Sequence, residues 1–162
     1  MKDKIIEEIS VLAKDLILEL SEKDMKISFA ESITGGLLSS SLTKEKNASK
    51  VLSISFVVYS NQAKEKILNV KNDTIKSKGV YSLEVVDEML DGLKELSQAN
   101  VLIAVSGIAG PDEIEGHEIG ETYLGIEVNE QRYLVKKIFS GNRDMIQQKI
   151  VKFCFSEVLY FI

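Results

Sequence analysis

The chain has 162 residues, enough for one domain with a sizeable core, and 44% hydrophobic with 28% charged residues is the balance of a folded globular protein. A net charge of −5 supplies no global basic field for nucleic acid, and one cysteine, Cys154, excludes an internal disulfide framework and a cysteine-rich zinc site. The start Met1-Lys2-Asp3-Lys4 is not a signal peptide and no run of about 18 apolar residues occurs, so the expectation is a cytoplasmic protein with no membrane partner.

Ile5, Ile6, Ile9, Leu12, Ala13, Leu16, Ile17 and Leu20 recur at helical spacing and predict a first amphipathic helix over residues 3–22. Met25 to Glu31 is short and apolar and reads as a strand, followed by a helix from Thr34 to Thr43. Val51 to Tyr59, rich in β-branched and aromatic residues, predicts a buried strand. Asn61 can cap a short helix through Leu68, and Thr74 to Lys78 reads as one helical turn ending at Gly79. Ser82 to Leu96 is a helix with Ser82 as cap and Val85, Val86, Met89, Leu90 and Leu93 on its apolar face, weakened slightly by Gly92.

Asn100 to Ser106 is nearly continuous apolar sequence, as in a strand buried on both faces. Residues 111–119 are polar and acidic and read as a loop. Glu121–Val128 and Gln131–Phe139 alternate and are joined by Asn129-Glu130, a hairpin signal. Arg143 to Phe161 closes the chain as a helix, with Ile146, Ile150, Phe153, Cys154, Val158 and Phe161 on one side. The order predicts one α/β domain: a three-layer α/β/α sandwich on a mixed, mostly parallel sheet that ends in an antiparallel hairpin.

Three predicted strands end in polar or glycine-bearing turns, at Glu31-Ser32, Tyr59-Ser60-Asn61 and Ser106-Gly107. Ligands of open α/β sheets bind outside the carboxyl ends of the strands, so parallel neighbours would bring the three turns to one crevice. Ser32, between a strand and a helix start, can be a nucleophile or part of an anion cradle. A neutral hydroxyl needs a base. His117, the lone histidine, lies in the acidic loop with no second partner in sequence. Lys64 can serve if its pKa is depressed, and both burial and the positive end of its helix push that way. Tyr59 could relay a proton or hold Lys64. The N–H groups of Thr34, Gly35 and Gly36 could stabilise an oxyanion, the glycines allowing close backbone approach.

Simpler roles stand beside these. A serine before a helix is commonly an N-cap, a helix lysine is commonly solvated, and a strand-end tyrosine commonly packs half-buried. Ser106-Gly107 and Gly110-Pro111 can be only a turn. Asp112, Glu113, Glu115, His117 and Glu118 fit no calcium-loop or helix-borne metal spacing, and the acidic loop reads as solvated. Arg143 at a helix start opposes the helix dipole, which points to a partner elsewhere, a substrate anion or an acidic side chain.

As a set, these segments resemble the CinA C-terminal family. Ala30-Glu31-Ser32-Ile33-Thr34-Gly35-Gly36 is similar to that family's Ala-Glu-Ser-Cys-Thr-Gly-Gly signature, and Tyr59-Ser60-Asn61-Gln62-Ala63-Lys64 to its Tyr-Ser-Asn-x-x-Lys segment. Ser106-Gly107-Ile108-Ala109-Gly110-Pro111 resembles Thr-Gly-Ile-Ala-Gly-Pro, Gly79-Val80-Tyr81-Ser82 resembles Gly-Ala-Val-Ser, and Ser140-Gly141-Asn142-Arg143 resembles a Gly-x-Arg element. The chain looks like the stand-alone form of the domain. The resemblance implies a nicotinamide mononucleotide amidase that gives nicotinic acid mononucleotide and ammonia, without cofactor or metal. It implies Ser32 as nucleophile, Lys64 as base and Tyr59 beside them. Thr34, Gly35, Gly36, Asn61, Ser106, Gly107 and Arg143 would be substrate-binding, with Arg143 meeting the phosphate. Departures fall in the loops: Asp112-Glu113-Ile114-Glu115 replaces an Asp-Gly-Gly loop, and Gln147 stands where a second arginine is frequent. Two alternatives stay open: a catalytically silent nucleotide-binding protein, and a Ser/Lys hydrolase of another small amide. The family's historical link to DNA uptake finds no support in the charge pattern, and the plentiful apolar residues are compatible with a homodimer.

Overall fold

The computed structural model describes residues 2–162; Met1, the first residue of the charged start, lies outside the described residues. The chain runs α1 (Lys2–Glu22), β1 (Ile27–Glu31), α2 (Leu37–Thr43), a 3₁₀ turn (Ala48–Lys50), β2 (Leu52–Val57), α3 (Asn61–Leu68), α4 (Asn72–Lys78), α5 (Leu83–Ser97), β3 (Val101–Gly107), β4 (Glu121–Val128), β5 (Gln131–Ile138) and α6 (Arg143–Phe161). The five strands form one sheet in the order β2-β1-β3-β4-β5. The β1–β2 and β1–β3 pairs are parallel, and β3–β4 and β4–β5 are antiparallel. Only β4 therefore runs against the others, which makes the sheet mixed and mostly parallel in strand direction.

Helices cover both faces. α1, α2 and α6 bury Leu16, Leu20, Leu38, Ile150 and Phe155 against Ile27, Phe29 and Ile103. On the other face Val86, Met89, Leu90 and Leu93 of α5 pack on Ala30, Leu102 and Ala104. The alternation of Phe29 and Ala30 between the two cores is the period of a strand. β1 and β3 are buried along nearly their whole length, as a central strand covered twice must be.

β2 corrects the expectation of a buried strand. It is the sheet's outer strand, paired only with β1 among the described residues, and its residues are half-buried or exposed. The second helix also starts later than its sequence suggests, at Leu37 and not at Thr34, after a turn over residues 32–35. The cap of α3 is Ser60, whose Oγ accepts from Ala63 N–H at 3.0 Å; Asn61 is the first helical residue. Asn72–Lys78 is a helix of seven residues where one turn was expected. Ser82 caps α5 as predicted, its Oγ accepting from Val85 N–H. Gly92, a weak residue for a helix interior, has a packing reason: a Cβ there would lie 2.1 Å from the Leu68 carbonyl oxygen. The absent side chain lets the end of α3 rest directly on α5.

The chain passes from β1 outward to β2, then back across to β3, so the strand order reverses between β1 and β3. That reversal is where such sheets open a crevice. No helix among the described residues is long and apolar enough to cross a membrane.

Candidate active site

Ser32 follows the last residue of β1. Its N–H donates to the Val105 carbonyl at 3.1 Å, and the Val58 N–H donates to the Glu31 carbonyl at 2.8 Å, so β2 and β3 clamp the strand end from both sides. The side chain then leaves the sheet on the α3 side. There the Lys64 Nζ stands 3.0 Å from Ser32 Oγ and 2.9 Å from the Val58 carbonyl oxygen. Lys64 is 1% exposed and Ser32 7%. No carboxylate neutralises the amine among the described residues, and burial lowers its pKa to about 8. A neutral amine in this position donates one N–H to Val58 and keeps its lone pair for the Ser32 hydroxyl.

The pair opens into a cavity of about 260 Å³ lined by residues of all three turns, among them Tyr59, Asn61, Gly107 and Arg143. Val80 and Tyr81 form another wall, with Ile108 to Gly110, Asp112 and Ile114 completing the rim. Tyr59 is 65% exposed at this rim, so the group that holds Lys64 from behind is the Val58 carbonyl and not the Tyr59 phenol. Arg143 donates to the Gly110 carbonyl, which ties the start of α6 to the Gly110-Pro111 turn. The hydrogen-bond partner of this arginine among the described residues is thus a backbone carbonyl and not the acidic side chain that the sequence allowed.

Four of the predicted binding residues do not line the cavity: Thr34, Gly35, Gly36 and Ser106. Two of the three amides given an oxyanion role in the sequence reading, those of Gly35 and Gly36, are engaged in hydrogen bonds of their own. Gly35 N–H donates to the Ser32 carbonyl at 3.1 Å, and Gly36 N–H to Glu31 Oε2 at 3.0 Å. Both glycines have a backbone reason, a left-handed φ of 59° and 101° that favours glycine. Thr34 turns its hydroxyl to Glu31 Oε2 at 2.7 Å. Ser106 is fully buried, its hydroxyl facing the Val80 carbonyl at 3.4 Å.

Glu31 is the residue that sequence reasoning passed over. Fully buried, its carboxylate accepts from Leu38 N–H and Ser39 N–H at 2.9 Å each, and from Ser39 Oγ, besides Thr34 and Gly36. It thereby caps α2 from outside the helix and fixes the turn that follows Ser32. The signal was present as one carboxylate at the end of an otherwise apolar strand. The Ile33 N–H, next after Ser32, holds no hydrogen bond among the described residues, and Ile33 lines the cavity. Gln147 Nε2 donates to the Ile33 carbonyl at 2.8 Å and orients this segment from α6.

His117 is no partner of Ser32. Its Nδ1 lies 2.8 Å from Glu121 Oε1, and Lys136 Nζ lies 2.9 Å from the same oxygen. Burial alone would raise the Glu121 carboxyl, but hydrogen bonds from Tyr123, His117, Lys136 and the Glu118 N–H outweigh it and hold the pKa at about 2. No cluster of His, Cys, Asp or Glu suited to a metal ion occurs among the described residues.

A model of the family described as the CinA C-terminal domain matches residues 9–162. A CinA-like protein of Petrotoga mobilis is 40% identical over 141 residues, covering 86% of this chain and 35% of that protein. A protein of Bacillus subtilis named as competence-damage inducible is 37% identical over 142 residues, covering 88% of this chain and 34% of its own length. This chain thus spans about a third of the length of the curated relatives it matches. Among solved structures, a competence-damaged protein superfamily member from Escherichia coli aligns with a TM-score of 0.91 at 30% identity, covering 95% of this chain and 90% of that one. A competence/damage inducible protein from Agrobacterium tumefaciens aligns with a TM-score of 0.91 at 29% identity, with 94% of each chain covered.

Proposed function

The chain belongs to the CinA C-terminal domain family, and we propose that it is an amidase that converts nicotinamide mononucleotide to nicotinic acid mononucleotide and ammonia. The observation that carries this reading is the buried 3.0 Å approach of an amine with a lowered pKa to a hydroxyl at the mouth of a cavity. Neutral Lys64 takes the Ser32 proton as Oγ attacks the carboxamide carbon. The oxygen that gains charge is met by the Ile33 N–H, the unpaired donor adjacent to the nucleophile. The Lys64 ammonium then protonates the departing nitrogen, which leaves as ammonia. Water, deprotonated by Lys64, opens the acyl ester and restores Ser32.

Arg143 supplies the positive charge at the cavity for a phosphate, and Tyr59 and Tyr81 supply aromatic faces for a planar ring. The test is ammonia release from the mononucleotide by the purified protein and by Ser32→Ala and Lys64→Met. Loss on the order of 10³-fold or more is expected for the serine variant. Full activity of Ser32→Ala removes the proposal.

One observation favours a second reading, a nucleotide-binding protein without turnover. Gln147 replaces a possible second cation and is occupied by the Ile33 carbonyl, which leaves Arg143 as the only arginine lining the cavity among the described residues. Saturable binding of the mononucleotide with no ammonia would select it.

A further inference from the structure

We propose that Ile114 sets the size limit of the substrate, acting as a specificity-determining side chain at the Ser32/Lys64 cavity; this rests on the amidase reading above. Ile114 lies in the polar loop that the sequence marks as a departure from its family. It belongs to neither hydrophobic core, is 38% exposed, and lines the cavity. An isoleucine on an acidic loop, outside any core and facing a ligand space, is placed to touch what enters that space.

The loop is held in place. His117 N–H donates to the Ile114 carbonyl at 2.9 Å, and the two residues form an isolated antiparallel bridge around Glu115-Gly116. The His117 ring is fixed on two sides. Its Nδ1 meets the buried Glu121 carboxylate at 2.8 Å, and it stands edge-on to Tyr81 with 5.3 Å between ring centroids. Glu121 is itself held by Tyr123 and Lys136. One histidine therefore braces two walls of the cavity, Tyr81 by ring contact and Ile114 across the turn.

The consequence is steric. A cavity of about 260 Å³ lies just under the range of about 300–1,000 Å³ common for small-molecule sites. The Ile114 side chain takes up space at the rim that a glycine at this position would leave open. Rejection by a fixed side chain raises specificity without any added attraction to the accepted ligand. The geometry favours a mononucleotide carboxamide over the dinucleotide carboxamide, nicotinamide adenine dinucleotide. In apolar pockets a single methylene changes discrimination by roughly 10–200-fold, so loss of the whole side chain should shift the ratio by about tenfold or more.

The experiment measures kcat/KM for ammonia release from the mononucleotide and from the dinucleotide in wild type, Ile114→Gly, His117→Ala and His117→Gln. The quantity read is the ratio of the two constants, because a loss of correctly folded enzyme scales both and cancels. Wild type should prefer the mononucleotide. Ile114→Gly and His117→Ala should each lower that preference about tenfold, and His117→Gln, which can still donate to Glu121, should recover part of it. A ratio unchanged in Ile114→Gly overturns the inference. Should wild type release ammonia from neither compound, the amidase reading fails by itself. The size limit is then read by calorimetric titration of the same two ligands: a mononucleotide preference that falls in Ile114→Gly sustains it, while an unchanged preference, or no binding of either, overturns it.

Discussion

Glu31 and Ser32 are neighbours in the chain whose side chains serve opposite faces of the sheet. The Glu31 carboxylate lies in the layer of α1, α2 and α6, where it accepts from Leu38 and Ser39 at the start of α2. The Ser32 hydroxyl lies in the layer of α3 and α5, 3.0 Å from the Lys64 amine. Strand alternation produces this division, and it makes one corner of the backbone answer to both layers.

Removing the Glu31 carboxylate should therefore disturb more than α2. Glu31→Ala leaves several buried donors without an acceptor and should lower stability by about 3–5 kcal/mol. The urea midpoint checks this, and an unchanged midpoint contradicts the capping role. At urea-free conditions where the variant is folded, turnover should also fall, because the turn after Ser32 has lost its anchor.

In the proposed reaction the pH dependence of turnover should follow from the lysine. Burial lowers the Lys64 pKa to about 8, and only the neutral amine can accept the Ser32 proton. kcat/KM should rise with pH below about 8 and level off above it. A profile flat from pH 6 to 9 would separate the rate from Lys64.

The same group makes stability depend on pH, with a definite sign. Folding lowers the Lys64 pKa from the ordinary value of 10.5 to about 8, so the protonated amine opposes folding. The penalty is complete below about pH 8, where both states hold the proton. It fades as pH rises to 10.5, because in that window the unfolded chain binds more protons than the native one. The pH-dependent part amounts to about 3 kcal/mol. Wild-type stability relative to Lys64→Met should thus increase by about that much between pH 7 and pH 10.5, as read by paired denaturant titrations. Parallel curves for the two proteins would refute the buried-amine account.

Arg143 should govern binding more than chemistry. It lines the cavity and is tied to the Gly110 carbonyl. Arg143→Ala should raise KM for a phosphate-bearing amide about tenfold or more, with a smaller change in kcat. Equal losses in kcat and in kcat/KM would instead place this arginine in the transition state.

Much of this fold was legible where the pattern is local. The helical spacing from Ile146 to Phe161 gave α6 its bounds, and Asn129-Glu130, both at positive φ, closes the hairpin that the alternation predicted. β2 was misread because Leu52-Ser53-Ile54-Ser55-Phe56-Val57 has the composition of a central strand, while its place at the sheet edge is decided by neighbours far along the chain. The site divides the same way. Residue types and strand ends pointed to Ser32, Lys64 and a shared crevice. The hydrogen-bond destinations of Gly36 and Thr34 were hidden, because the acceptor is the Glu31 carboxylate, whose inward reach no spacing rule describes. Ser106 likewise carries the right hydroxyl, aimed at a backbone carbonyl by the packing of β3.

The contact between Gly92 and Leu68 sets a mechanical condition on the proposed reaction. Leu68 is one helical turn beyond Lys64, and its carbonyl is seated on α5 with no gap into which α3 could slide. The packing of α3 on α5 thus aims the amine at the alcohol. Ligand arrival need not assemble the reacting pair, and a tetrahedral mimic should meet a ready-made geometry in a single association phase, without a slow isomerisation.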